Sequence, residues 1–268
     1  MFPNKKILFL LILVLLAACS PAPEATPTQL PTDVPTVAPT ATPLPPPTET
    51  TIPTPEATAT PEPLPVSEVC TPLRDHEIAR LPEYVTNPYT ETLTSNKEQG
   101  HHGVDFAYLY KDGDGPVIEG VDILSIMDGV VVSFTNNREP YGNMIMIETP
   151  YDLLPPEVIA FYEVQPSQSI YHLYAHLLDN PTLAMGQAVN CGDTLGQVGN
   201  TGNSGNPHLH LETRVGPGGQ SFPQQLVFYD TTASPEQAAG YQRWRSSGEF
   251  VQYDPMLLFA LVSPETEQ

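Results

Sequence analysis

The segment Pro207-His208-Leu209-His210-Leu211-Glu212 sets two imidazoles two residues apart. In a β-strand such residues point to the same face, so His208 and His210 project together. Two neutral imidazoles side by side begin a zinc site, although surface alternation also produces such pairs. A second segment, His101-His102-Gly103-Val104-Asp105, offers a histidine and a carboxylate four residues apart, beside a glycine that lets the backbone turn. Two histidines and one aspartate make a three-ligand shell with a fourth position open for water, the arrangement of catalytic rather than structural zinc. Neither segment contains cysteine, which argues against a structural Cys-rich site. His76-Glu77-Ile78-Ala79-Arg80 begins like the His-Glu-x-x-His of other zinc proteases, but Arg80 stands where the second histidine is needed.

Strands must position these groups. Val121–Ile126, Gly129–Phe134, Asn143–Glu148, Ile170–Ala175 and His208–Val215 are short β-branched or apolar runs bounded by Gly, Asn, Asp and Pro. Strong helical periodicity is absent, and a short helix fits around Pro156–Val164. The expected class is mainly β and antiparallel, without internal repeats.

Read in order, His101-His-Gly-Val-Asp-Phe106, Met127-Asp-Gly-Val-Val-Val132, Tyr174-Ala-His-Leu177, Gly192-Asp-Thr-Leu-Gly-Gln-Val-Gly-Asn-Thr-Gly202 and Pro207-His-Leu-His-Leu-Glu212 resemble the lysostaphin-type (LytM-like) zinc metallopeptidase family. The likeness runs from about His101 to Val215, with a tail ending at Tyr253-Asp254-Pro255. It implies an antiparallel, sandwich-like β domain of the duplicated hybrid motif kind with short helical insertions. It also implies a bound Zn2+ and hydrolysis of peptide cross-links in peptidoglycan. Carried onto this sequence, the family pattern makes His101, Asp105 and His210 the metal ligands and His176 and His208 the catalytic histidines. Only His101, not His102, has an aspartate four residues later, and His102 is expected beside the site. His172 lies four residues before His176, so regular alternation would put both on one strand face. The segments Tyr108–Glu119 and Thr149–Ser169 are longer than the compact family core requires, and either could flank the groove and set substrate choice.

The amino terminus reads as an address. Lys5 and Lys6 precede the apolar run Ile7–Leu16, which as a helix reaches only about 15 Å, half of a ~30 Å hydrocarbon core. The ending Leu16-Ala17-Ala18-Cys19 resembles a bacterial lipobox, which implies cleavage before Cys19 and lipid on its thiol. Between Ser20 and Ser67 stand 15 prolines and 12 threonines, with no Lys, Arg, Gly or aromatic residue. Such a tract cannot bury enough apolar surface to fold, and as polyproline II it reaches at most ~140 Å at ~3.1 Å per residue. The chain thus divides into a lipoprotein signal peptide (1–18), a disordered Thr/Pro-rich stalk (19–68) and the LytM-like domain (69–262, core about 99–216). In an oxidising extracytoplasmic compartment the remaining Cys70 and Cys191 are expected to form a disulfide. The alternatives are two buried thiols, or Cys191 as a metal ligand.

A formal net charge of −21 with only 10 basic residues excludes nucleic acid as partner. The reading is an extracytoplasmic zinc endopeptidase, lipid-anchored to the cell membrane or envelope. Its partners are a peptidoglycan peptide as substrate and the membrane through the anchor. The alternatives are a catalytically silent LytM-type module that regulates cell-wall amidases, and a tethered adhesin or spacer that would leave the histidines unexplained. Glu68–Gln99, ahead of the first ligand, is also placed to cover the groove, with Asn96 or a nearby carboxylate on the fourth zinc position.

Overall fold

A computed structural model describes residues 68–92, 98–108 and 117–263. The signal peptide, Cys19, the stalk up to Ser67, Asn96 and most of the Tyr108–Glu119 loop lie outside the described residues. Within them no helix is long and apolar enough to cross a membrane.

The described strands are β1 (Val85–Asn87), β2 (Val104–Phe106), β3 (Asp122–Leu124), β4 (Gly129–Arg138), β5 (Gly142–Pro150), β6 (Gln168–Leu177), β7 (Ala188–Val189), β8 (Thr194–Gln197), β9 (Leu209–Pro217) and β10 (Val251–Tyr253). Eight of them form one sheet in the order β1-β2-β9-β6-β5-β4-β7, with β10 also on β9, and β3 pairs with β8 in a second sheet. Every pair is antiparallel. The mainly β, antiparallel expectation therefore holds, and the five runs read as strands are β3, β4, β5, β6 and β9.

The large sheet is covered on both faces, which explains why β5 reads Met144-Ile-Met-Ile147 rather than alternating apolar with polar. Ile145 and Ile147 enter a core with Leu73, Leu81, Ile123, Tyr174, Leu211 and Phe259. Met144 and Met146 enter a second core with Tyr171, Leu173, Phe222, Trp244 and Phe250. A disulfide joins Cys70 to Cys191, with an S–S distance of 2.08 Å and a Cα–Cα distance of 5.7 Å, across 121 residues. It pins the start of the amino-terminal segment to the turn before β8.

The anticipated helix near Pro156 is α1 (Pro156–Tyr162), and two more follow: α2 (Pro235–Arg245) and α3 (Pro255–Val262). Both were missed in the sequence because neither carries a long 3.6-residue apolar stripe. Their signals are at their ends. Ser234 and Gln237 form a reciprocal capping box with Pro235 in the first turn, and Asp254 accepts from Met256 N–H ahead of α3. The Thr149–Ser169 insertion buries Val158 and Tyr162 in the first core, and Tyr162 packs edge-on against Tyr253. None of its residues lines the main cleft.

Candidate metal centre

The strand register brings distant residues together. Asp105 in β2 is the Cα partner of His210 in β9. Asn87 in β1 lies opposite Asp105 on its other side, and Ala175 in β6 lies opposite His210. Directly opposed residues share a sheet face with Cβ atoms about 5 Å apart, so this row crosses four strands on one face. His101 reaches the row from the turn before β2. Gly103 makes that turn possible, because a Cβ there would stand 2.2 Å from the Leu211 carbonyl oxygen and 3.0 Å from the His210 ring.

Three donor atoms converge: His101 Nε2 is 3.0 Å from Asp105 Oδ1 and 3.1 Å from His210 Nδ1, and the last two are 2.8 Å apart. Each of these residues has its outer atom held. His101 Nδ1 donates to the Pro88 carbonyl at 3.0 Å, Asn87 Nδ2 donates to Asp105 Oδ2 at 3.0 Å, and His210 Nε2 donates to Glu212 Oε1 at 3.2 Å. With their outer nitrogens so engaged, both imidazoles would offer a bound metal a lone pair on the inward side, beside a carboxylate oxygen. With no metal bound, a proton on a ring nitrogen bridges such atoms as a hydrogen bond to Asp105. Burial alone would lower His210, but its bonds to Asp105 and Glu212 raise it to about 9. Burial would likewise raise Asp105, yet bonds from His101 and His210 hold it well below the usual carboxylate range. These three residues can hold a metal ion. Two nitrogens and one oxygen suit zinc, whose tetrahedral ligands at ~2.0–2.1 Å stand roughly 3.3 Å apart, close to the spacings here.

His176 and His208 complete the cluster, their ring centroids 4.7 Å apart. His176 Nδ1 donates to the Thr201 carbonyl at 2.7 Å and His208 Nδ1 to the Asn206 carbonyl at 2.8 Å. Each ring thus keeps Nε2 as its free basic atom, and that of His208 lies 3.6 Å from Asp105 Oδ1. Burial, aided by His210 and His208, lowers His176 to about 3, so it is a neutral imidazole. His176 owes its direction to a β-bulge: its φ is 63°, and the β5–β6 register slips between Asn143/Leu177 and Ile145/Tyr174. His172 remains in regular strand. It is fully buried on the opposite face and bonded to Thr149 and Tyr174, so alternation misplaces it relative to His176.

Behind His210 lies a polar network that the sequence reading left without a role. Glu212, fully buried, accepts from the Tyr141 hydroxyl at 2.8 Å, Arg214 Nε at 3.1 Å and Nη2 at 2.8 Å, and Trp244 Nε1 at 3.1 Å. Its signal was present: His208, His210, Glu212 and Arg214 follow one another at strand period two. Arg214 also donates to His102 Nδ1 at 2.9 Å, which turns His102 away from the convergent atoms. Burial lowers His102 to about 4. Asn87 had no motif to reveal it. The described part of Glu68–Gln99 contains edge strand β1, and of it only Thr86 and Asn87 border the cleft. That cleft, of about 740 Å³, is lined by the four site histidines and Asp105, with His102, Tyr141, Tyr229, Tyr241 and Arg245 beside them.

Residues 158–222 match the model of Peptidase family M23, a stretch that contains His176, His208 and His210. Over 118 residues the chain is 30% identical to the DD-carboxypeptidase/endopeptidase Mpg of Neisseria meningitidis and of Neisseria gonorrhoeae, covering 43% of this chain and 20% of the relative. The chain thus spans about a fifth of the length of these curated relatives. Among solved structures, the catalytic domain of lysostaphin from Staphylococcus simulans is similar at 19% identity, with 69% of this chain and 99% of that chain covered and a TM-score of 0.37. A zinc-containing peptidase from Vibrio cholerae is similar at 25% identity, with 48% and 32% covered and a TM-score of 0.31. The family resemblance read from the motifs agrees with the M23 match.

Proposed function

Taking the M23 match as premise, we propose that this chain is a zinc-dependent endopeptidase that hydrolyses peptide cross-links of peptidoglycan at the cell envelope. The observation that carries this reading is the convergence of three inward-facing donor atoms beside two further imidazoles with free Nε2 atoms. His101, Asp105 and His210 would hold the ion. When bound, zinc supplies Lewis acidity toward a peptide carbonyl and toward water.

The chain's own residues do the rest. One of His176 and His208 takes a proton from the attacking water at Nε2, and the other orients the carbonyl or stabilises its developing negative charge. The carbonyl carbon gains the hydroxyl, the C–N bond breaks, and the amine leaves with the proton. The Thr201 and Asn206 carbonyls fix both tautomers so that the basic nitrogens face the reaction. Glu212 and Asn87 hold ligands in register, as outer-shell partners of zinc ligands do.

In this reading residues 1–18 are a lipoprotein signal peptide, Cys19 carries lipid, 19–68 are a stalk and 69–262 are the peptidase domain. The enzyme then works outside the cytoplasm within the stalk's reach of a membrane. The curated relatives' name, DD-carboxypeptidase/endopeptidase, supports a peptide-bond substrate of this kind. The test is muropeptide analysis of purified walls treated with wild type, His208→Ala and His210→Ala. Loss of cross-linked species with wild type alone is expected, and an unchanged profile with zinc-loaded wild type would refute the proposal.

A further inference from the structure

We propose that Arg245 binds a carboxylate of the substrate peptide; the inference deepens the peptidase reading and rests on it. Arg245 ends α2, outside the matched residues 158–222, and lines the cleft that holds the convergent donor atoms. Its guanidinium approaches the site through Glu212, whose Oε1 is 3.2 Å from His210 Nε2 and 3.7 Å from Arg245 Nη1.

Glu212 does not need this second cation. Its Oε2 already takes two bonds from Arg214 and one from Trp244, and its Oε1 takes bonds from Tyr141 and His210. At 3.7 Å, Arg245 Nη1 is beyond hydrogen-bond distance of the same carboxylate. Arg245 Nε is buried, 3.5 Å from Glu98 Oε2, and makes no hydrogen bond among the described residues. A side-chain bond to Tyr141 engages one part of the guanidinium. Of the five N–H donors in that plane the buried Nε is out of a ligand's reach, which leaves the Nη groups as the ones that can meet a ligand in the cleft.

The placement is purposeful on charge grounds as well. The chain carries 31 acidic and 10 basic residues, and it sets two guanidiniums around one fully buried glutamate, with Glu98 as a second, more distant partner of Arg245 at 3.5 Å. Arg214 is sealed in, with its side chain 1% exposed, whereas that of Arg245 is 15% exposed and opens on the cleft. Tyr229, 61% exposed, and Tyr241 line the same cleft and offer aromatic surface beside it. A planar fork with spare donors matches a carboxylate through two parallel bonds. Such a carboxylate is either the peptide's own C-terminus or one carried along the peptide by an acidic residue.

The experiment uses the full chain, zinc-loaded, with His208→Ala so that bound peptide persists. The probe is the stem peptide L-Ala-D-γ-Glu-L-Lys-D-Ala as free acid, as C-terminal amide, as amide at the glutamate α-carboxyl, and as bis-amide. Binding is read by calorimetry, independently of hydrolysis. The free acid should bind at least about tenfold tighter than the bis-amide. Arg245→Gln should abolish that preference while leaving bis-amide affinity within about twofold, and Arg245→Lys should retain part of it. The mono-amide that loses the advantage identifies the carboxylate source. Equal binding of acid and bis-amide, no binding of any probe, or an equal loss for all four in Arg245→Gln overturns the inference. Should Arg245→Gln fail to fold, the acid-to-amide ratio with Arg245 present and the lysine variant still decide. A wild-type protein that binds the acid selectively yet leaves walls uncut refutes the peptidase reading alone.

Discussion

Asp105 and His210 stand opposite each other across β2 and β9, and their facing atoms, Oδ1 and Nδ1, are 2.8 Å apart. A register pairing, not sequence proximity, makes them one site. The same row continues to Asn87, whose amide fixes the other Asp105 oxygen at 3.0 Å.

Asn87→Ala should therefore weaken zinc binding by about tenfold or more, the usual cost of losing an outer-shell partner. Chelator competition measures it. The apo protein's melting temperature should change little, because Asn87 is exposed and its strand is at the sheet edge. Unaltered zinc affinity would show that Asp105 needs no such support.

Glu212→Gln removes the charge that balances buried Arg214 and should cost about 3–5 kcal/mol of stability. Replacing both residues, as in Glu212→Gln with Arg214→Met, should cost less than their summed effects. Denaturant unfolding of the two single variants and the double variant checks this, and strict additivity would contradict the coupling.

His172 makes a pH prediction. Burial lowers it to about 3 in the folded protein, against ~6.5 for an unfolded histidine. Between these values the unfolded chain binds a proton that the folded chain refuses. Stability should therefore fall as pH drops from about 6.5 toward 3, by up to ~1.4 kcal/mol per pH unit from this one group. His102 and His176, also lowered, act in the same direction. His172→Gln should flatten the slope in that window, and parallel unfolding profiles for variant and wild type would contradict it.

The Cys70–Cys191 bond closes a loop across 121 residues. Chain entropy assigns such a loop about 4–5 kcal/mol. The double variant Cys70→Ser, Cys191→Ser should melt roughly 10 °C lower or more. A shift of only a degree or two would mean that the packing of Leu73 and Leu81 already holds the amino-terminal segment.

These residues also show what can be read in a sequence. Period two puts His208 and His210 on one face and extends to Glu212 and Arg214. The apolar runs mark β4, β5, β6 and β9. By contrast, the pairing of Asp105 with His210 joins strands 105 residues apart, and no local pattern encodes that register. His176 reaches the site only because its positive φ breaks the alternation it would share with His172. Asn87 and Arg245 lie outside the motifs, and their roles depend on which strand or helix closes over the cleft. Gly103 was legible as a turn glycine, but its actual constraint is the approach of the Leu211 carbonyl.

The central claim, zinc-dependent cleavage of wall peptides, is tested most directly by metal depletion and restoration. Wild type stripped with a chelator and returned to purified peptidoglycan should release no new amino groups, and one equivalent of zinc should restore release. His210→Ala should stay inactive at the same zinc concentration. Release by the stripped wild type, or equal release by His210→Ala, would contradict the account.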